Sequence, residues 1–327
     1  MDAWNMEAKL VFVGSGVKRT ASRNGTMSTT KLRATSNVRL LVLALLIVAP
    51  PVSAQERTTA LGGRTVVVWR PSGAENERHP IIVFSHGFGG CATQSRFLTE
   101  ALAERGYWVF APNHKDARCG QGGGSARPEE PFGEPGKWSD GTFADRRDDV
   151  RAVLQAIAKE SQYNGMVDLD RVGLVGHSLG GYTVVGLAGG WPSWKLPGVK
   201  AVLALSPYVE PFVVHHTLGG LAAPVMYQGG TLDFGITPSV RRPGGAYESS
   251  SSPKYFVELT RAGHLAWTNL RGDVHQRILD YSLPFLDHYV RGRPAPTTLT
   301  ISEPGISELR YESELGTSQP VPARARR

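Results

Sequence analysis

The chain has 327 residues, 36 of them Lys or Arg and 29 Asp or Glu, for a formal net charge of +7 at pH 7. That length suits one large α/β domain or two small ones. Residues 1–54 hold seven of the basic residues and two of the acidic ones, so the remainder carries only +2 and offers no basic face for nucleic acid.

The first 54 residues read as a leader. Leu40 to Ala49 is an apolar run too short to span a bilayer comfortably, preceded by Lys31, Arg33 and Arg39 and followed by Val52-Ser53-Ala54. This is the pattern of a secretory signal peptide, occupying residues 27–54 if translation starts at Met27; a retained N-terminal anchor is the alternative. The expectation is a secreted or periplasmic protein beginning near Gln55, without stable membrane insertion after cleavage. In an exported chain, the two cysteines, Cys91 and Cys119, suggest one disulfide.

From there apolar runs and helical patterns alternate. Thr65–Arg70 reads as an early strand ended by Pro71, and Pro80–Ser85 as a strand buried on both faces. The latter leads into His86-Gly87-Phe88-Gly89-Gly90. Phe97, Leu98, Ala101 and Leu102 recur at helical spacing, and Tyr107–Pro112 is the next buried strand. Asn113 to Thr142, rich in glycine and proline, predicts a long loop. Asp145–Ala158 predicts a helix with a stripe of Val150, Val153, Leu154 and Ile157. Further strands are predicted at Arg171–Val175, Val199–Leu205, Pro224–Gly230 and Lys254–Leu259, with a closing helix from Asp273 to Val290. Strands alternating with helices imply a mostly parallel sheet covered on both faces. The expected organisation is a leader over 1–54, one α/β domain over 55–290 and a peripheral tail over 291–327.

The chemistry centres on Gly176-His177-Ser178-Leu179-Gly180, which joins a strand to a helix. This G-x-S-x-G turn places a serine at the apex of a strained elbow, with small residues where the chain closes on itself. An acyl-transfer serine needs a base, an acid that orients the base, and oxyanion donors. His264 and Asp233 each follow a predicted strand in the required order, and Glu210 is the runner-up acid. His177 lies inside the elbow, and His215 and His216 fall between strands. Oxyanion donors are expected from the N–H groups of Phe88 and Leu179, with His86 buttressing the loop.

The set Ser85–Gly90, Gly176–Gly181, Asp233 and Gly263-His264 resembles the α/β-hydrolase superfamily over about residues 60–290. Within it the chain is similar to exported esterases near the dienelactone-hydrolase-like, platelet-activating-factor-acetylhydrolase-like and polyester-hydrolase (cutinase-like) groups. It departs from the acetylhydrolase pattern, whose acid follows the strand after the elbow. Here that segment reads Ser206-Pro207-Tyr208-Val209-Glu210. It also departs from dienelactone hydrolases proper in having Ser178 rather than a cysteine.

The resemblance implies an α/β-hydrolase fold and a cofactor-free serine carboxylic-ester hydrolase. The short stretch between Leu205 and Pro224 leaves room for one helix and no lid domain, and no Cys/His cluster at metal spacing implies a metal. Phe88, Tyr208, Phe212 and Trp267 follow strands at the expected edge and suit apolar acyl or aryl groups, so the expected substrates are short or medium esters, bulky aryl esters and polyesters. An acyltransferase with the same triad, a lidded lipase and a phospholipid acetylhydrolase are the alternatives.

Overall fold

The computed structural model describes residues 55–72, 77–119 and 127–318. The expected leader, the glycine cluster from Gly120 to Gly124 and residues 319–327 lie outside the described residues.

One sheet organises the domain. Its strands are β1 (Gln55–Leu61), β2 (Arg64–Arg70), β3 (His79–Ser85), β4 (Trp108–Pro112) and β5 (Val167–His177), followed by β6 (Val199–Leu205), β7 (Val225–Gly230), β8 (Lys254–Leu259), β9 (Ile306–Ser313) and β10 (Gly316–Thr317). The spatial order is β1-β2-β4-β3-β5-β6-β7-β8-β9-β10. Strands β4, β3, β5, β6, β7 and β8 run parallel, while β1, β2, β9 and β10 add antiparallel margins.

The helices are α1 (Arg96–Glu104), α2 (Ala144–Lys159), α3 (Leu179–Val185), α4 (Glu210–Val214), α5 (Thr237–Arg241), α6 (Ala246–Ser249) and α7 (His275–Tyr289). Alternate residues of the buried strands serve opposite cores. Ile81 and Val83 of β3 join Val150, Val153 and Ile157 of α2 on one face. Ile82 and Phe84 join Leu98 of α1 and Ile278 and Phe285 of α7 on the other. A strand covered on both sides needs apolar residues at every position, which is why β3 reads as an unbroken hydrophobic run. Each of these fully buried side chains contributes about 1.5–3 kcal/mol relative to exposure.

Two segments differ from the sequence expectation. The region after Arg291 is more than a peripheral tail, because β9 pairs with β8 from Lys254↔Glu312 to Leu259↔Ile306. Its Leu309 is buried, and the Arg310 guanidinium lies 4.9 Å from the Phe256 ring centre.

The long loop is irregular yet fastened in its described part by aromatic donors. The Trp138 indole donates to Pro131 O at 3.0 Å, Tyr182 OH to Thr142 O at 2.9 Å and the Trp194 indole to Asp140 O at 2.7 Å. Backbone carbonyls that no ladder satisfies thus find side-chain partners, and the rings fill the space beneath.

The parallel strands end in register. Ser85 pairs with Gly176, His177 with Leu205, Leu205 with Gln228, and Gly230 with Leu259. The turns that follow β3, β5, β6, β7 and β8 therefore open along one edge.

Candidate active site

At that edge β5 turns sharply into α3. Ser178 adopts φ 55° and ψ −117°, a backbone conformation that residues with a side chain rarely occupy. The turn is closed by Ser178 N–H donating to Leu205 O at 3.0 Å and Tyr182 N–H donating to Ser178 O at 3.1 Å. A Cβ on Gly176 would lie 2.2 Å from Gly180 O, and one on Gly180 would lie 1.9 Å from Ser85 O. Only glycine permits this approach of helix to strand.

Ser178, half-buried, meets His264: Ser178 Oγ and His264 Nε2 are 2.9 Å apart. His264 follows β8, and its Nδ1 is 3.3 Å from Asp233 Oδ1. Asp233 follows β7 and is buried, with Oδ2 accepting from Ser206 Oγ at 2.5 Å and Thr237 Oγ1 at 3.1 Å. Ser206 Oγ also lies 2.7 Å from His264 Nδ1. Motif spacing gave no signal for Ser206 or Thr237. The runner-up acid, Glu210, begins α4 and is ion-paired with Arg242 at 2.5 Å. His215 and His216 are exposed at the end of α4.

The loop after β3 faces the elbow. Gly87 N–H donates to Gln94 Oε1 and Gly89 N–H to Asp116 Oδ2, each at 3.0 Å, with Phe88 between them. Leu179 is the first residue of α3, where N–H groups have no partner within the helix. Both amides expected as oxyanion donors thus belong to turns that flank Ser178.

A buried arginine holds this loop from behind. Arg146 of α2 grips Asp116 through Nε at 3.0 Å and Nη2 at 2.7 Å, and donates to His86 O at 2.8 Å and Gly87 O at 3.3 Å. Burial would raise the Asp116 carboxyl, but the charge and hydrogen bonds of Arg146 outweigh it and hold the group down to about 2. His86, held well below its ordinary pKa by burial and by the Arg146 charge, is neutral. It donates from Nδ1 to Gly87 O at 2.7 Å and accepts His114 N–H at Nε2 at 3.1 Å. That is the buttressing role expected for it.

A second Ser–His–Asp arrangement lies beneath. Ser85 Oγ is 2.8 Å from His114 Nε2, and His114 Nδ1 is 2.8 Å from Asp149 Oδ2. All three residues are buried, and Arg64 caps Asp149. No substrate reaches Ser85, so this group fastens the end of β3 to the turn after β4. Hydrogen-bond order alone does not make a catalytic site; exposure of the nucleophile does.

His177 of the elbow is also buried, and burial, followed by the neighbouring His264, lowers its pKa to about 3. The neutral ring donates from Nε2 to His264 O and accepts Gln94 Nε2–H at Nδ1, both at 2.9 Å.

The expected pocket aromatics are largely core. Phe212 is fully buried against Tyr182, ring centres 5.0 Å apart, and Trp267 is buried with its indole donating to Gln228 Oε1 at 3.0 Å. Tyr208 is buried too, its hydroxyl donating to Phe132 O at 2.7 Å. These rings follow strands that end at this edge, but their turns point them back into the domain. Exposed apolar side chains beside Asp233 and His264 include Leu232 and Phe234, on either side of Asp233, and Leu265 next to His264, 49%, 77% and 51% exposed.

Cys91 and Cys119 are free thiols, and the expected bridge is not formed. Cys119 Sγ donates to Asn113 Oδ1 at 3.3 Å, and Cys91 Sγ lies 3.4 Å from Thr93 Oγ1. Among the described residues no group of three or more His, Cys, Asp or Glu is arranged to hold a metal ion, and no helix is long and apolar enough to cross a membrane.

The strand order and the nucleophile-type elbow define an α/β-hydrolase fold. Residues 76–228 match the family described as serine aminopeptidase, S33 (Hydrolase_4), an α/β-hydrolase family. That span includes Phe88 and Ser178 and stops short of Asp233 and His264. Over 149 residues the chain is 34% identical to dipeptidyl-peptidase 5 of Porphyromonas gingivalis, a stretch covering 42% of this chain and 19% of that protein. Both likenesses are to proteins described as peptidases rather than to the esterase groups that the motifs resemble.

Proposed function

We propose that the chain is an exported serine hydrolase that cleaves carboxylic esters. The observation that carries the reading is the 2.9 Å contact between Ser178 Oγ and His264 Nε2 on a strained elbow, with Asp233 behind the imidazole. His264 Nε2 takes the Ser178 proton as Oγ attacks the carbonyl carbon. The N–H groups of Phe88 and Leu179 hold the oxyanion, each such donor being worth about 3 kcal/mol. His264 returns the proton to the leaving alkoxide, and water, deprotonated in the same way, releases the acid. Only two short elements, α4 and a turn at Leu218–Gly220, fill the stretch between β6 and β7, which supports an open site without a lid. Exposed Leu232, Phe234 and Leu265 suit apolar acyl or aryl groups, including those of polyesters.

A peptidase is the second reading, favoured by the match over residues 76–228. The test is a matched panel of p-nitrophenyl esters and aminoacyl or dipeptidyl p-nitroanilides, with Ser178→Ala and fluorophosphonate labelling as controls. Ester turnover well above anilide turnover, abolished in Ser178→Ala, is expected. Preferred anilide turnover would establish the peptidase instead. An added alcohol that diverts the acyl group from water would identify an acyltransferase. A sharp rise in rate only above the critical micelle concentration would identify a lidded lipase. Export is tested by the N-terminus of the secreted protein, expected near Gln55.

A further inference from the structure

We propose that Ser206 is a positioning residue of the triad, carrying the hydrogen-bond link between His264 and Asp233. This rests on the serine-hydrolase reading and adds a member to its site.

The direct separation between His264 Nδ1 and Asp233 Oδ1 is 3.3 Å. Through Ser206 the path is shorter at each step: 2.7 Å from His264 Nδ1 to Ser206 Oγ and 2.5 Å from Ser206 Oγ to Asp233 Oδ2. Proton inventory fixes the direction of both bonds. For His264 Nε2 to accept from Ser178, Nδ1 must carry the ring proton. An ionised Asp233 only accepts, so the single Ser206 proton goes to Oδ2, and the Ser206 lone pairs face His264 Nδ1–H. Ser206 thereby selects the tautomer that leaves Nε2 free to act as base. Thr237 Oγ1 holds the same carboxylate oxygen at 3.1 Å and itself accepts Gly230 N–H at 2.9 Å, so Asp233 is fixed from a second side.

The backbone is shaped to this end. Ser206 directly follows β6, is fully buried and has φ 41°, in the left-handed region. Its N–H donates to Gln228 O at 2.7 Å, and two residues on Tyr208 N–H donates to Ser178 O at 3.0 Å. Those bonds hold a conformation that a serine would not choose unaided, and the result aims Oγ into the gap between acid and base.

The test uses Ser206→Ala, which removes the hydroxyl, and Ser206→Gly, which also relieves the backbone. The readouts are the second-order rate of Ser178 labelling by a fluorophosphonate, and kcat and KM for p-nitrophenyl butyrate. In both variants labelling and kcat should fall about 10- to 100-fold, with KM within about twofold, as for lost orientation of a reacting group. A purely structural serine would instead be rescued by glycine.

Labelling does not depend on which acyl group the enzyme prefers. Wild type that labels, together with a folded variant that labels at the wild-type rate, overturns the role of Ser206 alone. Wild type that resists the label overturns the serine-hydrolase reading and this role together. If both variants fail to fold, proton NMR of unsubstituted protein decides. The far-downfield signal of an imidazole N–H bound directly to a carboxylate should be absent from the resting enzyme, and its presence would overturn the link.

Discussion

The Gln94 carboxamide joins the loop after β3 to the elbow. Its oxygen accepts Gly87 N–H at 3.0 Å and its nitrogen donates to His177 Nδ1 at 2.9 Å. His177 passes the connection on to His264 O. One side chain thus sets the distance between the loop proposed to carry an oxyanion donor and the segment proposed to carry the base. Gln94→Leu, similar in size, breaks the link without opening a large cavity. The expected outcome in steady-state kinetics is a tenfold loss in kcat, about 1.4 kcal/mol in the barrier, at nearly constant KM. Wild-type kinetics would mean that the loop holds its shape without help.

Arg146 and Asp116 form the other anchor of that loop. Arg146→Met leaves the half-buried Asp116 carboxylate and two buried carbonyls without that donor, and should cost about 3–5 kcal/mol in stability, measured by urea denaturation. Arg146→Lys keeps the charge but not the forked geometry. It should fold, melt lower than wild type and lose kcat more than KM.

Three buried neutral histidines make stability sensitive to mild acid. His86, His114 and His177 are all held below the ordinary value near 6.5, in each case first by burial. Below that value the unfolded chain binds protons that the folded one refuses. Their contribution is complete above about pH 6.5 and is lost as pH falls toward the folded pKa, about 3 for His177. Each costs about 1.4 kcal/mol per pH unit in that window. Asp116, held down to about 2, acts only below about pH 4. The melting temperature should therefore drop steeply between pH 7 and 5.5, and a flat profile would contradict the buried-neutral assignment.

Cys91 and Cys119 are expected to pair on oxidation. Burial raises the Cys91 thiol, but hydrogen bonds from Cys119 and Thr93 outweigh it and bring it below the ordinary value, whereas Cys119 is pushed up to about 11, first by burial. Oxidised glutathione should take two electrons and two protons from the pair, releasing two glutathione thiols and closing a loop of roughly 28 residues, worth about 3–4 kcal/mol. Thiol titration in denaturant should give two thiols before oxidation and none after, with a higher melting temperature. Two thiols persisting after oxidation would refute the pairing.

The architecture was legible because parallel strands and amphipathic helices carry strong periodic signals: β3, β6 and α2 fall within a residue or two of their sequence bounds. Strand β1 was not, since Gln55–Leu61 is a polar margin strand exposed along most of its length. Ser178, Asp233 and His264 could be chosen because topology dictates which turn each must follow. Ser206, Gln94 and Arg146 could not, because their roles arise from contacts between segments distant in sequence. The pocket was misjudged for a related reason. Sequence places Phe212 and Trp267 near the edge but says nothing of whether the rings turn inward.

The antiparallel margins of the sheet bear on how the chain keeps to itself. Strands β3 to β8 are largely apolar, and β8 itself carries only Lys254 and Glu258 as charges; a bare margin of that kind would be a template for a neighbouring molecule. On one side β1, with Gln55, Glu56 and Arg57 exposed, covers β2, whose Val66–Trp69 are buried. On the other, β9 covers β8 and carries Glu308, Glu312 and the buried Arg310. A chain shortened to end near Arg291 would present the uncovered strand Lys254–Leu259 to solvent. Its fate would be self-association along that strand, whatever became of its chemistry.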